Sequence, residues 1–419
     1  MIAEFSARRV AGNIGALLSA SVVARGLSAV TLILTARKLG PELFGPYAAS
    51  LSVTRIAAVI FALGLDTWLL RSGGLDKARL QSRVTAALII EVVVGVFWLL
   101  GVAAVVPWFN HDSFPTQIVV LCAASVLFEE LVNSVASAFK AALKNGVTLL
   151  VLAGSQALLL AVTLLIIWRG GETAVLFLWG RVGATAVSAL VGFVILHFLV
   201  GYRLQLSEIK RALRETRSFG ASVALGNLSR QADVTIVATW LGKTAAGLYA
   251  PAITLTSTLF LVPSALYGVM LPILGQAYEK NVETVRQVSR WLLRGTLMLG
   301  GVSSLIMWFA AKPLVALLYG ADYVVSGEIL QILGLILVFR FVSFGVAAIL
   351  AAVRWQAKRV WVQAIAVILN IGLNIAVVQR GGLTAVAWVY VFTELFLMVG
   401  YLFWVRRWQQ TQTLSAPVP

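Results

Sequence analysis

The chain has 419 residues, of which 60% are hydrophobic and 12% charged. A soluble domain carries about 25% charged and about 45–50% apolar residues, so a mean hydropathy of +0.93 excludes a water-soluble enzyme. Disorder is excluded too, because disordered chains are poor in aliphatic and aromatic residues. The class that remains is a polytopic helical membrane protein. A β-barrel would alternate apolar and polar residues over strands of about ten positions, whereas the apolar runs here are continuous and longer.

A membrane-crossing helix needs about 20 mostly apolar residues. Twelve segments meet that requirement: 12–36, 44–69, 84–107, 116–139, 146–168, 174–200, 218–241, 246–272, 292–318, 325–352, 360–379 and 382–405. The basic N-terminal flank MIAEFSARRVAGN resembles that of a signal peptide. The apolar run behind it is too long for one and contains Arg25, so it reads as a retained first helix. The chain then divides into an N-terminal six-helix bundle (1–200), a cytoplasmic amphipathic connection (201–217), a C-terminal six-helix bundle (218–405) and a cytoplasmic tail (406–419). The stretches LSEIKRALRETRSFG and QAYEKNVETVRQVSRW mix charge with apolar residues at helical spacing. Both read as short amphipathic helices lying on the membrane surface.

The net charge of +16 fits this topology better than it fits nucleic acid. With the N-terminus in the cytoplasm, 22 of the 33 lysines and arginines fall on cytoplasmic segments and six on outer loops. The positive-inside bias therefore places both termini in the cytoplasm, with anionic membrane lipids as the partner of the basic loops. The other five, Arg25, Arg55, Arg181, Arg230 and Arg340, lie inside spans. Trp68, Trp108, Trp168, Trp240, Trp291 and Trp404 fall near span ends, where interfacial tryptophans belong. One cysteine, Cys122, and two histidines leave no disulfide and little for a zinc site. No G-x4-GK[ST] loop occurs, so ATP is not the direct energy source. No catalytic group, cofactor or metal site is expected.

An internal repeat organises the rest. Leu39-Gly40-Pro41-Glu42-Leu43-Phe44-Gly45-Pro46-Tyr47-Ala48 recurs as Leu241-Gly242-Lys243-Thr244-Ala245-Ala246-Gly247-Leu248-Tyr249-Ala250, with the shared pattern LG-x4-G-x-YA. Each copy sits on the turn between the first and second helix of a six-helix half. The copies are an even number of helices apart, which makes the halves parallel repeats about an axis along the membrane normal. The glycines permit a tight outer turn, and the tyrosine is expected to anchor at the interface.

The stretch Ala36-Arg37-Lys38-Leu39-Gly40-Pro41-Glu42-Leu43-Phe44-Gly45-Pro46-Tyr47 resembles the early signature of Wzx-type polysaccharide flippases of the multidrug/oligosaccharidyl-lipid/polysaccharide exporter superfamily. Ala232-Asp233-Val234-Thr235-Ile236 ahead of the second LG-x4-G-x-YA is similar to that family's seventh helix. The resemblance implies an all-α fold of twelve transmembrane helices in two six-helix bundles that form a V-shaped central cavity. It implies a flippase, not an enzyme, in the bacterial inner membrane. Such a protein moves undecaprenyl-diphosphate-linked oligosaccharide outward by alternating access for O-antigen, capsule or exopolysaccharide assembly. A polysaccharide polymerase and glycosyltransferases would act beside it. A cation-coupled multidrug exporter and a lipid II flippase of the same superfamily are the alternatives. The first would want an acidic, aromatic cavity, and the second normally has two additional helices.

A charge inside a span costs at least about 2.5–3.5 kcal/mol on insertion scales. Arg25, Arg55, Arg230 and Arg340 are therefore candidate ligands of the lipid diphosphate, whose oxygens the guanidinium fork binds bidentately. The competing reading pairs each arginine with a buried acid or lets it snorkel to an interface, and Arg181 is assigned to that reading. The acids within spans are Glu91, Glu129, Glu130, Asp233 and Glu394. Asp233, Glu130 and Glu129 are the candidates for coupling transport to an ion gradient. Arg230 and Asp233, three apart on one helix, equally make a neutralising pair. Asp66 with Arg71 is expected in a gate or interface contact. Asn227, Asn370 and Asn374 either bind sugar or hold helices together, the last two from one helix face.

Overall fold

The computed structural model describes residues 7–58, 64–75, 79–109 and 111–414. The side chains of Arg71 and Asn227 lie outside the described residues, and with them the expected Asp66–Arg71 contact and the role of Asn227. The described chain is almost wholly helical. In order the helices are α1 (Ala7–Ala57), α2 (Leu65–Leu75), α3 (Leu80–Val105), α4 (Thr116–Ala141), α5 (Asn145–Trp168), α6 (Ala174–Leu199), α7 (Leu206–Glu215), α8 (Arg217–Leu241), α9 (Lys243–Leu259), α10 (Leu261–Lys280), α11 (Val282–Tyr319), α12 (Val324–Gly334), α13 (Ile336–Ala352) and α14 (Gln356–Leu414).

Seven of the described helices are long and apolar enough to cross a membrane, or eight if α12 and α13, bent by 41° at Leu335, form one span. The expected spans at 84–107, 116–139, 146–168 and 174–200 correspond closely to α3, α4, α5 and α6. Others are built differently. The stretch expected as one helix over 44–69 is interrupted: α1 stops at Ala57 and α2 starts at Leu65, after Gly64 at φ +72°. The second amphipathic stretch is not a separate helix. Its first five residues end α10, and the rest forms the first turns of the 38-residue α11, which starts where Asn281 Oδ1 accepts the Thr284 N–H at 2.7 Å. The first amphipathic stretch is a helix of its own, α7.

Two long helical runs bend at glycine: α1 at Gly40 (φ +70°) and α14 at Gly382 (φ +59°). Both conformations are costly for residues with a Cβ. The 59 residues of α14 would measure about 89 Å at 1.5 Å per residue, so the bend divides it into two helices.

The chain forms two compact units, Met1–Gly247 and Leu248–Pro419. In the first, α4 is central: 67% of its apolar window is buried, against 22% for the α3 region. Small residues on α4, among them Ala123, Ser125, Ala136, Ser137 and Ala138, let neighbouring backbones approach as they do between membrane helices. The outward faces of α3 and α6 expose Phe97, Leu100, Leu190 and Phe198, the surface an acyl-chain solvent requires. The second unit packs around Leu274, Val346, Ile349, Leu350 and Tyr401, contributed by α10, α13 and α14.

Candidate functional site

The most buried helix of the first unit is also the one that carries adjacent acids. Glu129 and Glu130 on α4 are consecutive, so the helical rotation of about 100° per residue sends them to different neighbours. Glu129 meets two arginines. Its Oε2 is 3.2 Å from Arg55 of α1 and 2.8 Å from Arg181 of α6. Arg55 also donates to Oε1 at 3.3 Å. Arg181 is 2% exposed. Cys122 and Tyr47 face the same guanidinium. One carboxylate thus serves two guanidinium groups inside an apolar bundle. Of the two guanidinium groups, Arg55 is the more open, with 28% of its side chain exposed.

Glu130 faces Asp66 and Asn133, and Arg55 is within its electrostatic reach too. Asp66, on α2, accepts a hydrogen bond from Ser134 Oγ at 3.0 Å. Glu91 of α3, 2% exposed, faces the same serine and the same aspartate. Among the described residues no group of three or more histidines, cysteines or carboxylates is arranged to hold a metal ion.

In the second unit Arg340 of α13 lies 3.1 Å from Glu394 of α14. Its guanidinium stands 4.6 Å above the Phe260 ring and 5.9 Å from that of Phe344, in cation–π range. Asn374 donates to Asn370 at 3.2 Å, and Asn370 donates to Thr393 at 3.4 Å. The Asn370–Thr393 bond joins the two arms of α14, while the Asn374–Asn370 bond lies within one arm. Arg25 on α1 and Arg230 on α8 are exposed, while Asp233, one turn beyond Arg230, is 4% exposed.

The repeated motif has a structural explanation that its sequence only half conveys. Gly40 and Gly242 adopt nearly the same conformation, φ/ψ of +70°/168° and +88°/178°. Five residues on, Gly45 and Gly247 bring the two turns into backbone contact. A Cβ on Gly45 would collide with the Lys243 carbonyl, and one on Gly247 with the Pro41 carbonyl. Lys243 and Glu42 add an ion pair at 3.0 Å. The motif tyrosines are not interfacial anchors: Tyr47 is 2% exposed and Tyr249 fully buried, because the tight turn directs each ring inward. Trp68 likewise departs from expectation. It is 1% exposed and donates its indole N–H to Glu215 Oε2 at 2.9 Å, whereas Trp108, Trp168 and Trp291 are exposed as expected.

That tryptophan belongs to a clamp on α7. Arg211 donates to Glu215 at 2.8 Å. The Trp68 hydrogen bond, and after it that of Arg211, hold the Glu215 carboxyl below its ordinary range. Glu208 of α7 is 3% exposed and faces Arg83 at 3.5 Å and Arg79 at 3.6 Å. Arg83 also donates to the Ser72 carbonyl.

A bundle of apolar helices with charged residues inside is a build found in membrane transporters. Comparison with known proteins gives the family: the chain belongs to the polysaccharide biosynthesis protein family, whose model matches residues 10–278. A second model, MatE, matches residues 220–376. The chain is 25% identical over 342 residues to the succinoglycan biosynthesis transport protein ExoT of Rhizobium meliloti (strain 1021), covering 80% of this chain and 67% of that one. Among solved structures, a multidrug resistance MATE family transporter of the MOP superfamily, in an inward-facing conformation, superposes with a TM-score of 0.78. Its identity is 16%, with 96% of this chain and 100% of that chain covered. The lipid II flippase MurJ, inward closed, gives 0.76 at 14% identity, with 93% and 87% covered. The fold is therefore that of MOP-superfamily transporters.

Proposed function

We propose that the protein is a flippase for undecaprenyl-diphosphate-linked oligosaccharide in a bacterial inner membrane. It works by alternating access, draws on an ion gradient, spans the membrane twelve times and has both termini in the cytoplasm. The observation that carries the reading is the sharing of Glu129 by Arg55 and Arg181. A diphosphate that leaves water loses its hydration, and fixed positive partners offset that loss. A guanidinium that keeps part of its surface open suits such an anion. Kinship to a succinoglycan transport protein and a fold shared with the lipid II flippase MurJ support the same substrate class. Within it, Arg55 is the arginine that keeps an open face toward substrate. Arg25 and Arg230, both exposed, stand as additional contacts, and Asp233 and Glu130 as coupling acids.

Proteoliposomes loaded with a fluorescent lipid-linked oligosaccharide test this reading. The purified protein accelerates the loss of inner-leaflet label, faster with an imposed proton or sodium gradient. Equal rates with and without protein, at verified incorporation, contradict it. Resistance to cationic drugs conferred on a sensitive host, without flipping, favours the multidrug exporter.

A further inference from the structure

We propose that Glu91, with Asp66 and Ser134, forms a proton-binding site inside the first unit, separate from the arginine cluster. Glu91 lies near the middle of α3 and is 2% exposed, and its Oε2 has no hydrogen-bond partner. No arginine or lysine is in ion-pair contact with it among the described residues. A carboxylate in that setting is uncompensated, and burying a lone charge is among the most costly arrangements a fold contains.

The geometry around Ser134 assigns the proton. Ser134 Oγ, 3% exposed, donates its single proton to Asp66 Oδ1 at 3.0 Å. Glu91 reaches the same hydroxyl from α3. A hydroxyl has one proton and two lone pairs, so it serves one of the two carboxyls as donor. The other bonds to it only by supplying a proton of its own. Asp66 is the better ionised partner because Ser137 offers a second hydroxyl and Lys140 contributes positive charge. The charged groups that face Glu91 are both carboxyls, Asp66 and Glu130. The chain therefore runs from the Glu91 carboxylic acid through the Ser134 hydroxyl to the Asp66 carboxylate. It joins three helices, α3, α4 and α2, through one transferable proton. A metal ion fits less well, since the carboxyls do not converge as a ligand set and Ser134 is already committed to Asp66.

The site does not depend on the identity of the transported substrate, and its test needs none. Dicyclohexylcarbodiimide adds to a protonated carboxyl in an apolar setting and leaves a stable N-acylurea on it. The purified full-length protein is treated in proteoliposomes over a range of pH, with and without sodium, and the adduct is located by peptide mass spectrometry. Glu91 is expected to take the label at neutral pH and to lose it as the medium is made alkaline, with sodium making no difference. Glu91→Gln abolishes that adduct. If Glu91→Gln fails to fold, the wild-type map still decides. Label on other carboxyls with Glu91 untouched overturns the proposal. So does protection of Glu91 by sodium at constant pH, which assigns a sodium ion to the site.

Discussion

In the first unit Arg55 and Arg181 share the carboxylate of Glu129. In the second, Arg340 has Glu394 as its ion-pair partner, under the ring of Phe260. The same residue type, inside an apolar bundle in both, is thus held in two ways. A one-to-one pair under aromatic cover is electrically closed, and it positions helices. Two arginines on one acid form a shared cluster, in which Arg55 keeps 28% of its side chain open. The difference teaches that the presence of an arginine in a span says little. The arithmetic of its partners decides whether it is a ligand candidate or a tie between helices.

Substitution at Glu129 breaks this contrast most forcefully. Glu129→Gln removes the counter-charge of two guanidinium groups, and breaking a buried pair costs about 3–5 kcal/mol. We expect a larger loss of thermal stability in detergent than from any single substitution at Glu394, Gly247, Gly40 or Trp68, together with reduced membrane levels. Glu394→Leu costs about 3 kcal/mol because Arg340 then lacks its carboxylate. The double substitution Arg340→Met with Glu394→Leu restores most of it, since a buried pair is replaceable by apolar residues of similar volume. A double-mutant cycle on thermal midpoints checks this, and additive losses would contradict it.

Gly247→Ala tests the repeated turn. The added methyl meets the Pro41 carbonyl, and we expect about 2 kcal/mol of destabilisation. Gly40→Ala strains φ without a collision and costs less, about 1 kcal/mol. The smallest effect concerns the clamp. Glu215, depressed in the folded protein by Trp68 and Arg211, contributes stability above its ordinary pKa of about 4.3. That contribution is lost as pH falls through the lower folded value. Trp68→Phe should therefore melt earlier than wild type at pH 6, and the gap should close as the medium is acidified below about pH 4.

Much of this architecture was legible in the residues. Unbroken apolar runs located α3 to α6, and Gly, Asn or Pro at their ends marked the boundaries. The breaks were not legible. Nothing in the apolar run 44–69 announces that helix stops at Ala57, and Leu335 is an ordinary helix former. In a uniformly apolar segment, packing against neighbours sets the bend, and periodicity carries no such record. The site was legible as an inventory: the arginines and acids at positions 55, 91, 129, 130, 181, 340 and 394 all stand out as charges inside a span. Partners were not, because Glu129, Arg55 and Arg181 come from helices far apart in sequence. One signal was available for Glu91. A mid-span acid with no basic residue within a helical turn along α3 needs a proton or a distant partner. The burial of Tyr47 and Tyr249 was hidden because an aromatic at a span end has two homes, the interface and the core beneath a tight turn.

The central claim is that the shared carboxylate marks functional charge and the closed pair structural charge. Complementation of polymer production in a host lacking its own polysaccharide flippase tests it most directly, with membrane levels matched by blot. Arg55→Ala should abolish polymer and Arg55→Lys retain part of it, because lysine keeps the charge and loses the fork. The Arg340→Met, Glu394→Leu double variant should complement as well as wild type. Full complementation by Arg55→Ala, or loss of polymer in the correctly inserted double variant, would contradict the account.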